Sequence, residues 1–147
     1  MACLARLRLC EFEREKRPGT NRKTSPSGLG IEAGLAEASD AERLLALGLE
    51  RLALRILVEV SEQDLPHALA MTDEILSVLR RSSARKPILM HGANASAWPL
   101  LQRAIKSGFS SRIGLEDVSI LPDGSTAKSN ADLVAAALRL ARSSATA

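Results

Sequence analysis

The chain has 147 residues, room for one ordinary domain. Hydrophobic residues make up 46% and charged residues 25%, the balance of a folded chain, not a disordered one. Aromatics are only 2% (Phe12, Phe109 and Trp98), which excludes a stacking platform for single-stranded nucleic acid and argues against an aromatic-rich β-sandwich.

The net charge of +3 is unevenly placed. Residues 1–27 carry Arg6, Arg8, Arg14, Lys16, Arg17, Arg22 and Lys23 against Glu11, Glu13 and Glu15, whereas the rest of the chain is close to neutral. The segment 13–27 is rich in charge, Pro, Gly and Ser/Thr with no apolar period, so residues 1–27 read as a disordered basic leader. The remaining residues, 28–147, show no basic face for a nucleic acid. Cys3 and Cys10 have neither a CxxC partner nor a His at metal spacing, which points to a reducing compartment, the cytoplasm. No apolar run approaches the roughly 20 residues of a membrane span, and Arg6 and Arg8 break any signal-peptide core.

From Gly28 a short apolar strand followed by an amphipathic helix recurs four times. The first strand is expected over 30–35, with a helix capped by Ser39 and Glu42, an apolar face of Leu44, Leu45 and Leu47, and Gly48 at its end. The second strand, 54–60, is an almost continuous aliphatic run, as a parallel strand covered on both faces requires. Its helix spans 65–80, with Pro66 in the first turn and Leu69, Ile75, Leu76 and Leu79 as the buried stripe. A third strand covers 87–91, and its helix opens near Ser96 and ends before Gly108. The fourth strand is expected over 112–116, and a last helix begins near Ser129 or Asn130. The reading is α/β, four consecutive βα units with right-handed crossovers: either an open doubly wound sheet or part of a (β/α)8 barrel. No GxGxxG or Walker A motif supports a nucleotide-binding doubly wound sheet.

Ionisable residues recur on the strands: Glu32 within the first, Glu59 and His91 at the ends of the second and third, Glu116 and Asp117 at the end of the fourth. Strand C-terminal ends form the catalytic face in parallel α/β folds. Period-two alternation would put Arg112, Gly114 and Glu116 on one face. A carboxylate there can ligate a metal or help polarise a carbonyl; the plainer alternative is an Arg112–Glu116 ion pair inside a barrel layer. His91 reads as a metal ligand, a general acid/base or a satisfied core imidazole, Glu59 as a partner of Arg55, His67 as a surface residue and Trp98 as a packing anchor.

The segments GIEAGL, RILVEV, PILMHG, AWPLLQRAIKSG, RIGLEDVSILPDG and SNADLVAAALRLA resemble the C-terminal half of the β-keto acid cleavage enzymes, the family of 3-keto-5-aminohexanoate cleavage enzyme. The resemblance runs from about Gly28 to the end and leaves out the leader. It implies the C-terminal half of a (β/α)8 TIM-type barrel, with zinc or another divalent metal at the C-terminal face. It also implies a reaction in which a β-keto acid and acetyl-CoA give acetoacetate and a new CoA thioester. On the RxGLED motif it maps a metal ligand to Glu116, and residues of substrate activation and proton abstraction to Arg112 and Asp117. Glu32 corresponds to an acidic residue of the fifth barrel strand. The departure is large: the family's HxH metal ligands are absent, since His67 and His91 are the only histidines. The expectation is therefore a fragment, from a truncated gene or a mis-called start, inactive alone. The alternative is a half-barrel interaction protein that forms a homo-oligomer or pairs with another chain, because a half-barrel leaves sheet edges and an apolar face unpaired.

Overall fold

The computed structural model describes residues 30–83 and 85–144. The expected leader, 1–27, lies outside the described residues. Within them run β1 (Ile31–Leu35), α1 (Ala38–Ala46), β2 (Ala53–Val60), α2 (Leu65–Leu79), β3 (Ile88–Gly92), α3 (Ala97–Ser107) and α4 (Asn130–Ser144). The strands form a parallel sheet in chain order, β1-β2-β3, each returning through a helix. The fold is α/β, with a three-stranded parallel sheet and four α-helices among the described residues. No helix among them is long and apolar enough to cross a membrane.

Strand alternation sorts the sheet into two unlike faces. One face carries Leu35, Ile56, Val58, Val60 and Met90 and packs beneath Ala41 of α1, Ile75 and Leu76 of α2, and Leu100 of α3. Burying each of the larger aliphatic side chains contributes about 1.5–3 kcal/mol, so a core with Phe109 only at its margin suffices. The opposite face, set by the register pairs Glu32↔Arg55, Gly34↔Leu57, Leu57↔Leu89 and Glu59↔His91, mixes small, apolar and ionisable groups. A smaller packing unit joins α3 to α4 through Leu101, Ile105, Ala137 and Ala141.

Helix termini follow local chemistry. Asp64 caps α2 by accepting from the backbone N–H of His67 at 3.0 Å, and Pro66 sits in its first turn. Gly48 and Gly108 take the left-handed conformation after α1 and α3, with φ of 65° and 70°. The start of α1 differs from expectation. The helix begins at Ala38, and Asp40, not Ser39, accepts the N–H groups of Ala36 and Glu37 at 3.0 and 3.2 Å. Leu47 is 68% exposed and lies off the buried face, because α1 ends one residue before it.

The expected fourth strand, 112–116, does not form. The chain pairs with β3 only at Ser110, whose N–H donates to Ile88 O at 3.0 Å while its carbonyl accepts from Met90 N at 2.9 Å. Ser111 Oγ then donates to Met90 O at 2.8 Å. Beyond it the backbone bonds are spent locally: Gly114 O accepts from Asp117 N and Val118 N at 2.9 and 3.0 Å, closing a turn where a ladder would continue. A glycine inside a strand weakens it, and Gly114 is the residue around which this turn closes.

Candidate functional site

In a parallel sheet, residues in register project on the same side, so the ionisable groups of the face opposite α1 and α2 fall into rows. The lower row is the ion pair of Glu32 on β1 with Arg55 on β2. Above it lies the apolar row Gly34, Leu57 and Leu89. At the C-terminal ends of β2 and β3, about 13 Å up the strand from Arg55 at roughly 3.3 Å per residue, Glu59 and His91 stand side by side.

His91 connects this row to the loop that follows the Ser110 bridge. Its Nε2 is 3.8 Å from Glu59 Oε2 and its Nδ1 is 3.5 Å from Asp117 Oδ1. The same Asp117 oxygen lies 3.5 Å from Arg112 Nη2. Glu59, His91, Asp117 and Arg112 thus form one continuous line of ionisable groups. The two central members are the buried ones, His91 at 2% and Asp117 at 6% exposure. Neither ring nitrogen of His91 nor Asp117 Oδ2 has a hydrogen-bond partner among the described residues. Burial pushes the His91 pKa below its ordinary value, and the Arg112 guanidinium pushes the same way, against Asp117 and Glu59. The imidazole is therefore neutral near pH 7.

The turn after Gly114 sets where each carboxylate points. Leu115 N donates to Asn130 Oδ1 at 2.8 Å and Asn94 N to Asp117 O at 2.7 Å, pinning the turn to the start of α4 and to the loop after β3. Asp117 is held inward. Glu116 is exposed and folds back over Gly114, where an added Cβ would come within 2.5 Å of its Oε2. Beside it opens a cavity of about 390 Å³. Glu32, Arg55, Arg112, Glu116 and Asn130 supply its polar wall, and Leu57, Leu89 and Val134 its apolar wall.

Three of the four residues singled out from the sequence, Arg112, Glu116 and Glu32, therefore line one cavity, and Asp117 lies behind it in contact with Arg112. The grouping differs from expectation in two ways. Arg112 and Glu116 are joined by a turn, not by strand alternation. Arg112 pairs with Asp117, and no Arg112–Glu116 ion pair forms among the described residues. Glu32 is engaged by Arg55, and the expected Arg55–Glu59 pairing gives way to Glu59 beside His91. His91 is buried but not satisfied, so it is not the ordinary core imidazole. His67 is exposed, with Nδ1 3.4 Å from Glu62 Oε2, and Trp98 packs against the α3–α4 unit and donates Nε1–H to Ile120 O at 2.7 Å. Asn130, which positions the turn, carries no signal of its own in the sequence beyond its place before a helix.

A family model described as beta-keto acid cleavage enzyme matches residues 36–146, more than half of the chain. The chain belongs to that family. No curated protein matches it. The match takes in Glu59, His91, Arg112, Glu116 and Asp117, whereas β1 and Glu32 precede it.

A divalent metal, which family membership implies, asks for several converging donors, about three protein ligands at a catalytic zinc. Among the described residues no three His, Cys, Asp or Glu side chains converge on such a point. Glu116 offers one carboxylate, and Glu32, in the same cavity, is held by Arg55. These residues on their own do not fit a metal ion.

Proposed function

We propose that this chain is the C-terminal half of a (β/α)8 barrel of the β-keto acid cleavage type. In this reading it acts on a β-keto acid and acetyl-CoA, giving acetoacetate and a new CoA thioester, only when four further βα units complete the barrel. The observation that carries the reading is the line Arg112–Asp117–His91 at the C-terminal end of a parallel sheet, beside a cavity open to substrate. A carbon between two carbonyls gives up a proton when a base stands close and a cation bears the developing enolate charge. Arg112, in the cavity wall, is the cation in this assignment and Asp117, directly behind it, the base; His91, neutral and buried, lies 3.5 Å from the carboxylate without a hydrogen bond to it. Glu116 is one donor toward a metal whose other ligands the remaining units would supply. Glu32 lines the far side of the cavity and orients substrate through Arg55.

The test is complementation. The chain alone, supplied with β-keto acids and acetyl-CoA, is expected to release no acetoacetate, and release by the isolated chain would overturn the need for a second half. Mixed or fused with the first four βα units of a family member, it should turn over. In that assembly Asp117→Asn should slow turnover about 100-fold or more at unchanged metal content. Arg112→Lys should slow it with metal retained, because the guanidinium fork is lost while the charge stays. Glu116→Gln should lower metal content and rate together. Full activity of Asp117→Asn would remove Asp117 from the base role.

The alternative, self-assembly of half-barrels, draws on the β1 side of the sheet face opposite α1 and α2 and on the outer edge of β1, which has no strand partner among the described residues. Sedimentation of the purified chain separates the two: a concentration-dependent dimer supports assembly with itself, and a concentration-independent monomer counts against it.

A further inference from the structure

A second cavity, of about 270 Å³, lies under the helices at the other end of the sheet. Its walls are Leu45 of α1, Leu76 and Leu79 of α2, Ile56 and Ile88 of β2 and β3, and Phe109. Ile56 and Ile88 are on the helix-covered face near the strand starts, whereas Glu59 and His91 are three residues further along on the opposite face. The two sites are therefore separate.

Two features of this cavity point to a polar ligand. The first is Glu50, in the short 3-10 turn between α1 and β2, which is 6% exposed. Its Oε2 has no hydrogen-bond partner among the described residues, and its Oε1 lies 3.7 Å from Arg51 Nε. A carboxylate taken out of water without a donor is costly, and buried polar atoms are almost always paired. The second is the basic part of its lining, Arg80, Arg85 and Lys86. Lys86 is steadied there by donating to Arg51 O at 3.0 Å. Three cations lining one cavity exceed what a carboxylate ligand needs and suit the denser charge of a phosphate.

We propose that this cavity binds an amino-bearing nucleoside monophosphate. The exocyclic amine donates to Glu50 Oε2, the base lies between the apolar walls with Phe109 at one side, and Arg80, Arg85 and Lys86 hold the phosphate. The volume sets the size. It is just below the roughly 300–1,000 Å³ of ordinary ligand pockets, enough for a mononucleotide and too little for a dinucleotide.

Titration calorimetry on the full chain tests this with AMP, GMP and CMP, with purine riboside monophosphate, which lacks the amine, and with inorganic phosphate. At least one amino-bearing nucleotide should bind about tenfold or more tightly than both the amine-free analogue and phosphate, the size of one buried hydrogen bond to a charged group. Glu50→Met should erase the preference for the amine while leaving the analogue's affinity unchanged, and Arg85→Ser should weaken all nucleotides together. Equal affinity for nucleotide and phosphate would reduce the site to a basic patch. Unchanged nucleotide affinity in Glu50→Met, or no binding of the three nucleotides at millimolar concentration, would overturn the site. If Glu50→Met does not fold, base-proton NOEs to the Phe109 ring in the native chain decide the matter, their absence at saturation overturning the proposal.

Discussion

Replacing His91 by Leu should make the protein more stable. The imidazole is 2% exposed and neither nitrogen is hydrogen-bonded among the described residues, so the folded state bears the cost of an unmade bond, about 1–3 kcal/mol. Leu has similar bulk, and a near volume-conserving change in a packed site costs under about 1.5 kcal/mol. The difference centres on a gain of roughly 1 kcal/mol near pH 7.5, or about 2–4 °C in melting temperature for a chain of this length. Acid should widen the gap. The folded-state pKa of His91 lies below the ordinary value of 6.5, chiefly through burial, so the unfolded chain takes up a proton there that the folded chain refuses. The native protein's stability is thus whole above pH 6.5 and falls as pH drops below it, by up to about 1.4 kcal/mol per pH unit, until the folded imidazole also protonates. The Leu variant lacks that loss. Thermal melts of both proteins between pH 5 and 8 measure it. A variant that melts several degrees lower at pH 7.5, with a difference indifferent to pH, would show instead that the imidazole is satisfied.

Other substitutions probe the frame that holds the site. Gly92→Ala would put a Cβ 2.8 Å from both Leu100 Cδ1 and the backbone oxygen of Ser96, and should destabilise by about 1–3 kcal/mol in denaturant melts. Leu100→Ala, at a fully buried position between α3 and the sheet, should cost about 2–5 kcal/mol by the same measurement. Asp64→Ala removes the α2 cap and should cost about 1 kcal/mol, with the first turn of α2 gaining the most in amide exchange rate.

The three βα units were legible because their signals agree: aliphatic runs of strand length alternate with amphipathic helices, two of them with Pro in the first turn, and the strands fall within a residue of expectation. The fourth strand misled because Arg-Ile-Gly-Leu-Glu has the alternation of a strand but too few ladder partners. Alternation records which side chains want burial, and it is silent on whether an adjacent strand exists to accept the backbone bonds. The site was half legible. Glu116, Asp117 and Arg112 stood out as ionisable residues at a strand end, and the structure gathers them at one place by a turn. His91 was visible as a residue but not as a neighbour of Asp117, since that contact depends on the Asn94–Asp117 and Leu115–Asn130 bonds, which join segments distant in sequence. The Glu32–Arg55 pair follows from strand register, which a sequence does not display until the sheet order is known.

The order β1-β2-β3 repeats the order of synthesis. Each strand has its template in place when it emerges, so no pairing waits on a distant segment and the search for native contacts stays local. The sheet grows by accretion, and a growing layer is most fixed where both flanks are occupied. Amide exchange should accordingly be slowest in β2, faster in β3, whose outer flank carries the single bridge at Ser110, and fastest along β1. A protein assembled this way can also be interrupted between units and remain a template at its last edge, which is the property a divided barrel requires.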